Sequence, residues 1–195
     1  MEIISLTPKN FQTAVEMAAR AIQKGGTIIA PTDTIYGLLA NAADEKTIEK
    51  VFAIKKRPQE KSLPIFVKNM AMAKKLAKIT GAQEKTLEEN WPGKFSARLK
   101  RKKEMKIFGV KTETVVLRVP FCPFVNSLLE TLNFPLCATS ANISGQPASG
   151  KIDEVLRQFA GKNNLPDLVI NAGDLEASKP STIVDLTQTP PKIIR

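Results

Sequence analysis

Gly25-Gly26-Thr27-Ile28-Ile29-Ala30-Pro31-Thr32-Asp33-Thr34-Ile35-Tyr36-Gly37-Leu38 is the stretch from which the fold is read. A glycine pair stops a preceding helix, a short apolar run follows as a strand, and Pro31 turns the chain into a polar corner that closes on Gly37. The expected order is strand, corner, glycine, then helix. Two threonines, a carboxylate and a phenol occupy the corner, where turn geometry alone would select Gly, Asn or Ser. In open α/β sheets, ligands sit beyond the carboxyl ends of strands. The corner therefore reads as a surface that hydrogen-bonds something small and polar.

Working outward, residues 2–6 read as a strand, and Asn10 is placed to cap a helix from Phe11 to Lys24. Phe11, Ala14, Val15, Ala18, Ala21 and Ile22 fall on one face of it at helical spacing, and Gly25 supplies the glycine that follows a helix end. Downstream, the pattern predicts helices over 44–54, 70–78, 82–90, 123–132 and 151–159. It predicts strands over 63–67, 95–99, 114–119, 136–138, 168–170, 182–186 and 192–194. Strands and helices intermix without internal repeats or a low-complexity linker. The expectation is one α/β domain spanning residues 1–195, built on a mixed, twisted sheet of unspecified strand order.

Composition narrows the chemistry. The chain has 195 residues and a formal net charge of +10, with 29 Lys and Arg against 19 Asp and Glu. That excess favours anionic partners and says nothing of the fold. There is no histidine, which excludes His-based triads, His general bases and His-containing zinc sites. Only Cys122 and Cys137 are present; they read as reduced thiols of a cytoplasmic protein. No apolar run approaches the ~20 residues of a membrane span, and Met1–Leu6 lacks the pattern of a signal peptide. Any chemistry must run on Lys, Arg, carboxylates, hydroxyls and backbone groups, or on a cation carried in with substrate; no metal site is expected.

Four further segments and one arginine at the end of an apolar run are candidates. Lys55-Lys56-Arg57-Pro58-Gln59-Glu60-Lys61 lies where a helix gives way to a buried strand; it suits phosphate, although cations at a helix C-terminus are also favoured by the helix dipole. Ala138-Thr139-Ser140-Ala141-Asn142-Ile143-Ser144-Gly145 follows a buried strand; its hydroxyls and carboxamide suit a phosphate or ribose, or equally a self-satisfied turn. Ser178–Leu186 carries hydroxyls into an apolar strand through Pro180. Arg118 ends the apolar run Val115-Val116-Leu117, where a charged residue is either buried and paired or turned outward by alternation. Arg98, Lys100, Arg101, Lys102, Lys103 and Lys106 form a basic run without interleaved aromatics. It reads as a solvated hairpin, or as a nonspecific phosphate contact.

Taken in order, Pro31–Leu38, Lys55-Lys56-Arg57-Pro58 with Lys61, Leu117-Arg118-Val119-Pro120, Thr139–Gly145 and Pro180-Ser181-Thr182-Ile183-Val184-Asp185 resemble the threonylcarbamoyl-AMP synthase family, the YrdC-like domain. The resemblance covers nearly the whole chain. It implies an open, twisted sheet with flanking helices and a concave basic cavity. It also implies a nucleotidyltransferase that makes L-threonylcarbamoyladenylate from L-threonine, bicarbonate and ATP, releasing pyrophosphate and needing no protein nucleophile. Mg²⁺ would arrive with ATP, held mainly by phosphates and water. A partner transferase would then modify ANN-decoding tRNA. Position by position, Lys55, Arg57 and Lys61 resemble ATP phosphate contacts, with Lys55 on the basic rim. Ser140 and Asn142 resemble nucleotide contacts, and Arg195 a late phosphate-binding arginine. Thr34 and Ser181 resemble threonine contacts, and Arg118 the partner of the threonine carboxylate, a pairing that suits a bidentate guanidinium.

The chain departs from the family pattern at Trp91-Pro92-Gly93-Lys94-Phe95-Ser96-Ala97-Arg98, where Lys94 and Arg98 are unusual and Ser96 keeps a hydroxyl. Ser62 stands where proline often follows the motif lysine, and Phe66 where many relatives carry histidine. Two alternatives stand beside the enzyme: a non-catalytic module that holds double-stranded or structured RNA, tRNA included, on the same basic surface, and an enzyme of this fold that transfers a carbamoyl group to another acceptor. The short chain weighs against the latter.

Overall fold

The computed structural model describes residues 1–104, 106–110 and 112–194. In chain order the elements are β1 (Glu2–Ser5), α1 (Phe11–Gln23), β2 (Thr27–Ala30), β3 (Gly37–Asn41), α2 (Glu45–Lys55), β4 (Ile65–Phe66), α3 (Met70–Leu76), β5 (Ala77–Lys78), α4 (Gly81–Asn90), β6 (Phe95–Arg101), β7 (Thr114–Arg118), α5 (Pro123–Leu132), β8 (Leu136–Ser140), α6 (Ile152–Phe159), β9 (Leu168–Asn171), β10 (Thr182–Asp185) and β11 (Lys192–Ile193). All the strands join one mixed sheet in the order β1-β9-β2-β3-β8-β4-β7-β6-β10-β11, with β5 paired to β6.

Two elements differ from the sequence expectation. No helix follows Gly37. Gly37–Asn41 is a strand, antiparallel to β2 and to β8, with Gly37 opposite both Ala30 and Ser140. Leu38, Leu39 and Ala40 are all fully buried, and a strand covered on both faces shows no alternation by which to recognise it. The helix expected over 70–78 ends at Leu76, because Ala77 and Lys78 pair with Arg101 and Lys100 of β6; tertiary pairing overrides local propensity here. Asn10 stands at the N-terminus of α1 as expected, but its side chain accepts from the Thr7 N–H and donates to the Ser5 carbonyl rather than capping the helix.

The alternation of the strands sorts their side chains onto two faces. Leu38, Ala40, Ile65, Leu117, Ala97, Leu99 and Val184 pack on one face against Ile48, Val51 and Phe52 of α2, Met72 and Leu76 of α3, Leu87 of α4 and Val155 and Phe159 of α6. Leu39, Phe66, Ala138, Ile28 and Ile170 face the other way, against Val15, Ala18 and Ile22 of α1 and Phe124, Val125, Leu128 and Leu129 of α5. Phe11 and Phe124 lock these two helices edge to face, with ring centroids 6.1 Å apart. Each fully buried aliphatic or aromatic side chain contributes about 1.5–3 kcal/mol. On this second face α1 and α5 pack over the β9-β2-β3-β8 half. The β4-β7-β6-β10 half carries Ser96, Arg98, Val116, Arg118 and Ile183, and these side chains line a cavity instead of a helix contact.

Candidate active site

The cavity on that half-face has a volume of about 640 Å³, within the ~300–1,000 Å³ range of small-molecule sites. It reaches from the corner after β2 (Thr32, Thr34) across the end of β8 (Thr139, Ser140) to β7, β6 and the approach to β10 (Arg118, Ser96, Ser181).

The corner is built around Thr32. Its hydroxyl donates to the Ile35 carbonyl at 2.6 Å and accepts the Thr34 N–H at 3.1 Å, and the Thr34 hydroxyl lies 3.1 Å away. A threonine hydroxyl has one proton. With that of Thr32 given to Ile35, Thr34 is the donor of the hydroxyl pair, and its lone pairs remain to accept from a ligand. Tyr36 is fully buried. Its phenol donates to the Gly173 carbonyl at 2.6 Å and accepts the Ala172 N–H at 3.0 Å, tying the corner to the exit of β9. Burial raises its pKa above the usual tyrosine value, against the Ala172 hydrogen bond, so it stays a neutral anchor. Tyr36→Phe is expected to cost about 1 kcal/mol of stability in urea unfolding, because it removes two hydrogen bonds of a buried phenol, to the Gly173 carbonyl and from the Ala172 N–H.

Helix α2 ends in a way that separates two neighbouring cations. Lys56 takes the left-handed conformation at φ 48°, its N–H bonding to the Ala53 carbonyl and that of Arg57 to the Phe52 carbonyl, a glycine-type helix stop made without glycine. Arg57 is thereby thrown off the helix into the cavity lining, where its guanidinium donates to the Lys61 and Ser62 carbonyls at 3.1 and 3.0 Å. Among the described residues it has no carboxylate partner. Lys55, two residues earlier, remains helical and turns inward.

This corrects the expectation that Lys55 sits on the basic rim. Only 2% of it is exposed, and its three N–H bonds go to the Ser140 carbonyl at 2.5 Å, the Asn142 carbonyl at 2.8 Å and the Asn142 Oδ1 at 3.0 Å. Burial, with the Arg57 charge second, pushes its pKa down to about 8. Lys55 thus fastens the turn after β8. Asn142 is consumed by the same turn: its carboxamide donates to the Ile143 and Gln146 carbonyls and accepts from the Ser140 hydroxyl, and it does not line the cavity. Ser140 and Thr139 do. Lys61 is exposed and lies outside the lining. Arg195 lies outside the described residues.

Arg118 is buried and paired, one of the two readings its position left open. Its NH2 donates to Asp33 Oδ2 at 2.6 Å, its Nε to the Gly93 carbonyl at 2.7 Å, and its guanidinium carbon lies 5.7 Å above the Phe66 ring. Phe66 is therefore a floor for this cation. The Ser181 hydroxyl lies 3.1 Å from that of Ser96, both buried in the cavity wall. Arg98 faces Asp185 in the parallel β6–β10 register and pairs with it at 3.4 Å. Although burial pushes the Asp185 carboxyl up, hydrogen bonds from Thr187 and the Arg98 charge bring it below the usual carboxylate range. Of the three arginines that line the cavity among the described residues, two are thus already paired with aspartates. The buried thiols are unpaired, with burial pushing Cys137 up to about 12.

The structure brings together Thr34, Arg57, Arg118, Ser140 and Ser181. Sequence reading did not single out Thr32, Asp33 or Asp185 individually, although each lies inside a motif it quoted. Nothing local marks Asp33 and Arg118 as partners across 85 positions. The basic run is also divided: Arg98 lines the cavity, Lys100, Lys103 and Lys106 are exposed, and position 105 is outside the described residues.

An open mixed sheet with a hydroxyl- and arginine-lined cavity on half of one face defines a class of small-molecule-binding α/β proteins, and comparison with known proteins narrows it. The sequence profile of the Sua5/YciO/YrdC family, described as telomere recombination, matches residues 20–195. The chain is 31% identical over 195 residues to threonylcarbamoyl-AMP synthase of Pyrococcus abyssi, covering 99% of this chain and 56% of that protein. It is 32% identical over 186 residues to the putative threonylcarbamoyl-AMP synthase of Methanocaldococcus jannaschii, covering 95% of this chain and 86% of that one. The crystal structure of P. abyssi Sua5 complexed with L-threonine superposes with a TM-score of 0.87 over the whole chain, at 31% identity and 56% coverage of the larger protein. That of Escherichia coli YciO gives 0.84 at 26% identity, with 93% of YciO covered. The chain belongs to the Sua5/YciO/YrdC family. It spans a little over half the length of the P. abyssi relative. Among the described residues, no helix is long and apolar enough to cross a membrane.

Proposed function

We propose that this chain is an L-threonylcarbamoyl-AMP synthase, using L-threonine, bicarbonate and ATP and releasing pyrophosphate. The observation that carries the reading is the gathering of Thr34, Arg118 and Ser181 in the same cavity as Arg57 and Ser140, in a chain whose relatives include a Sua5 complexed with L-threonine. Threonine occupies the Arg118 side, its carboxylate on the guanidinium and its polar groups on the Thr34 and Ser181 hydroxyls. ATP occupies the Arg57 side, its phosphates on Arg57 with Lys61 at the rim, its nucleoside beside Ser140. Lys55 and Asn142 act indirectly, by holding the turn that presents Ser140.

The threonine nitrogen and bicarbonate combine to a carbamate with loss of water. A carbamate oxygen attacks the α-phosphorus, a P–O bond forms, the bond to the bridging oxygen breaks, and pyrophosphate leaves. Placement and charge neutralisation are what this step asks of the protein, and a histidine-free site of arginines and hydroxyls supplies both. Among the described residues, no group of three or more His, Cys, Asp or Glu side chains is placed to hold a metal; the donor set fits Mg²⁺ carried by the triphosphate and water. The product, a mixed anhydride, calls for a transferase partner acting on tRNA, in the cytoplasm.

The alternative RNA-binding reading has one observation of its own: Lys78 directly faces Lys100 across the β5–β6 ladder, and both are exposed. Like charges directly opposite repel, and a phosphate backbone would relieve them. Radiolabelled bicarbonate separates the readings. Transfer of label into an adenylate, dependent on both ATP and threonine, is expected; salt-sensitive RNA binding without labelled product would favour the module. Arg57→Ala is expected to weaken ATP binding by about tenfold or more, as loss of a charge-assisted phosphate contact requires, and Lys61→Ala by less, since exposed charges contribute little. Calorimetry with a non-hydrolysable ATP analogue checks both.

A further inference from the structure

Asp33 is the charged side chain of the Thr32–Thr34 corner, and the proposed chemistry gives it no part. It is 6% exposed and does not line the cavity. One carboxylate oxygen, Oδ2, accepts both from Arg118 at 2.6 Å and from the Phe121 N–H at 3.0 Å. The other, Oδ1, is buried and makes no hydrogen bond. A buried carboxylate with a bare oxygen is costly, and what it holds is Arg118, a guanidinium 4% exposed in the cavity wall.

The charge matters as much as the geometry. The proposed reaction presents three anions to one cavity: a triphosphate, bicarbonate and the carboxylate of an amino acid. A buried guanidinium with an uncompensated charge attracts any of them. One that is neutralised, with its fork aimed by fixed contacts, selects by geometry and favours a ligand that brings its own positive charge. We infer that Asp33 is a positioning residue that also sets selectivity: it cancels the Arg118 charge so that this end of the cavity takes a zwitterionic amino acid and rejects free inorganic anions. The inference rests on the placement of threonine at Arg118.

The bare Oδ1 makes a clean test available. In Asp33→Asn the carboxamide oxygen keeps both hydrogen bonds and the NH2 group takes the position that has no partner, so the charge is what changes. Calorimetric titration with inorganic phosphate, without substrates, is expected to show binding at least about tenfold tighter in Asp33→Asn than in the wild type. The gain is expected to vanish in Asp33→Asn/Arg118→Gln and to be absent in Asp33→Glu, which keeps the charge. In pyrophosphate-release assays at saturating ATP, added phosphate is expected to raise KM for threonine in Asp33→Asn and to leave KM for threonine unchanged in the wild type. Equal phosphate affinity in the wild type and Asp33→Asn overturns the inference, as does tight binding by Asp33→Glu. Should Asp33→Asn fail to fold, the wild type decides: inorganic phosphate that displaces threonine at concentrations leaving ATP binding unchanged contradicts the proposal. The phosphate titration needs no turnover, so a protein that released no pyrophosphate would refute the threonine reading while the role of the Asp33 charge was still decided by binding.

Discussion

Arg118→Ala is expected to lower stability by about 3–5 kcal/mol, because it leaves the Asp33 carboxylate buried without its cation. The same substitution removes the guanidinium on which the proposed function places the threonine carboxylate. With charge-assisted hydrogen bonds worth about 1.5–3 kcal/mol each, threonine affinity should fall by about two orders of magnitude while ATP affinity is unchanged. Urea unfolding and calorimetry read the two effects separately. Two further variants keep them apart. Asp33→Asn/Arg118→Ala should recover much of the lost stability, since the stranded charge is gone, without recovering threonine binding. Arg118→Lys should retain the ion pair but lose the fork that also reaches the Gly93 carbonyl, and threonine binding should stay weak. Unchanged threonine affinity in Arg118→Ala would remove the carboxylate assignment, and a double variant no more stable than the single one would remove the ion-pair account.

Lys55→Met should be the second severe change. It retains the stem but leaves the Asn142 carbonyl without its donor and takes one of two donors from both the Ser140 carbonyl and Asn142 Oδ1. A loss of about 2–4 kcal/mol is expected, along with weakened nucleotide binding, because Ser140 is presented by the turn that Lys55 fastens. The effect carries a pH signature. Burial depresses the folded-state pKa of Lys55 to about 8, against 10.5 for the free side chain. Between those values the unfolded chain binds a proton that the folded protein has released, so stability rises with pH. The folded protein bears the cost of the buried charge in full below about pH 8 and is relieved of it as pH rises toward 10.5. The stability gap between wild type and Lys55→Met should therefore be constant below pH 8 and widen above it, by on the order of 3 kcal/mol in all. Tyr36 also titrates differently in the folded state, but it is common to both proteins and cancels in the difference. A gap that stayed flat from pH 7 to 10 would contradict the buried-ammonium account.

Most of the architecture could be read from pattern. Helix α1 shows its apolar stripe and its glycine stop, and β2, β7 and β9 are short apolar runs bounded by turn residues. Strand β3 could not be read, because burial on both faces erases the period that distinguishes a strand. Nor could β5, two residues made strand by a partner over twenty positions away. The site was legible as a set of segments but not as a division of labour. Lys55 and Arg57 belong to one basic run; a single left-handed residue, Lys56, sends the first into the core and the second into the cavity. The sequence pattern left Arg118 either paired or turned outward, and its partner is fixed only when the corner after β2 and the end of β7 meet on the sheet. Charges counted along the chain overstate how basic the cavity is, since Asp33 and Asp185, from distant segments, pair with two of the arginines that line it.

The central claim is that the cavity joins threonine to ATP. Pyrophosphate release by the purified protein, with ATP and bicarbonate present, measures it directly when threonine is supplied, withheld or replaced by serine. Release that requires threonine, and is weaker with serine, is the predicted result. The absence of threonine-dependent release from folded protein that still binds ATP would contradict it.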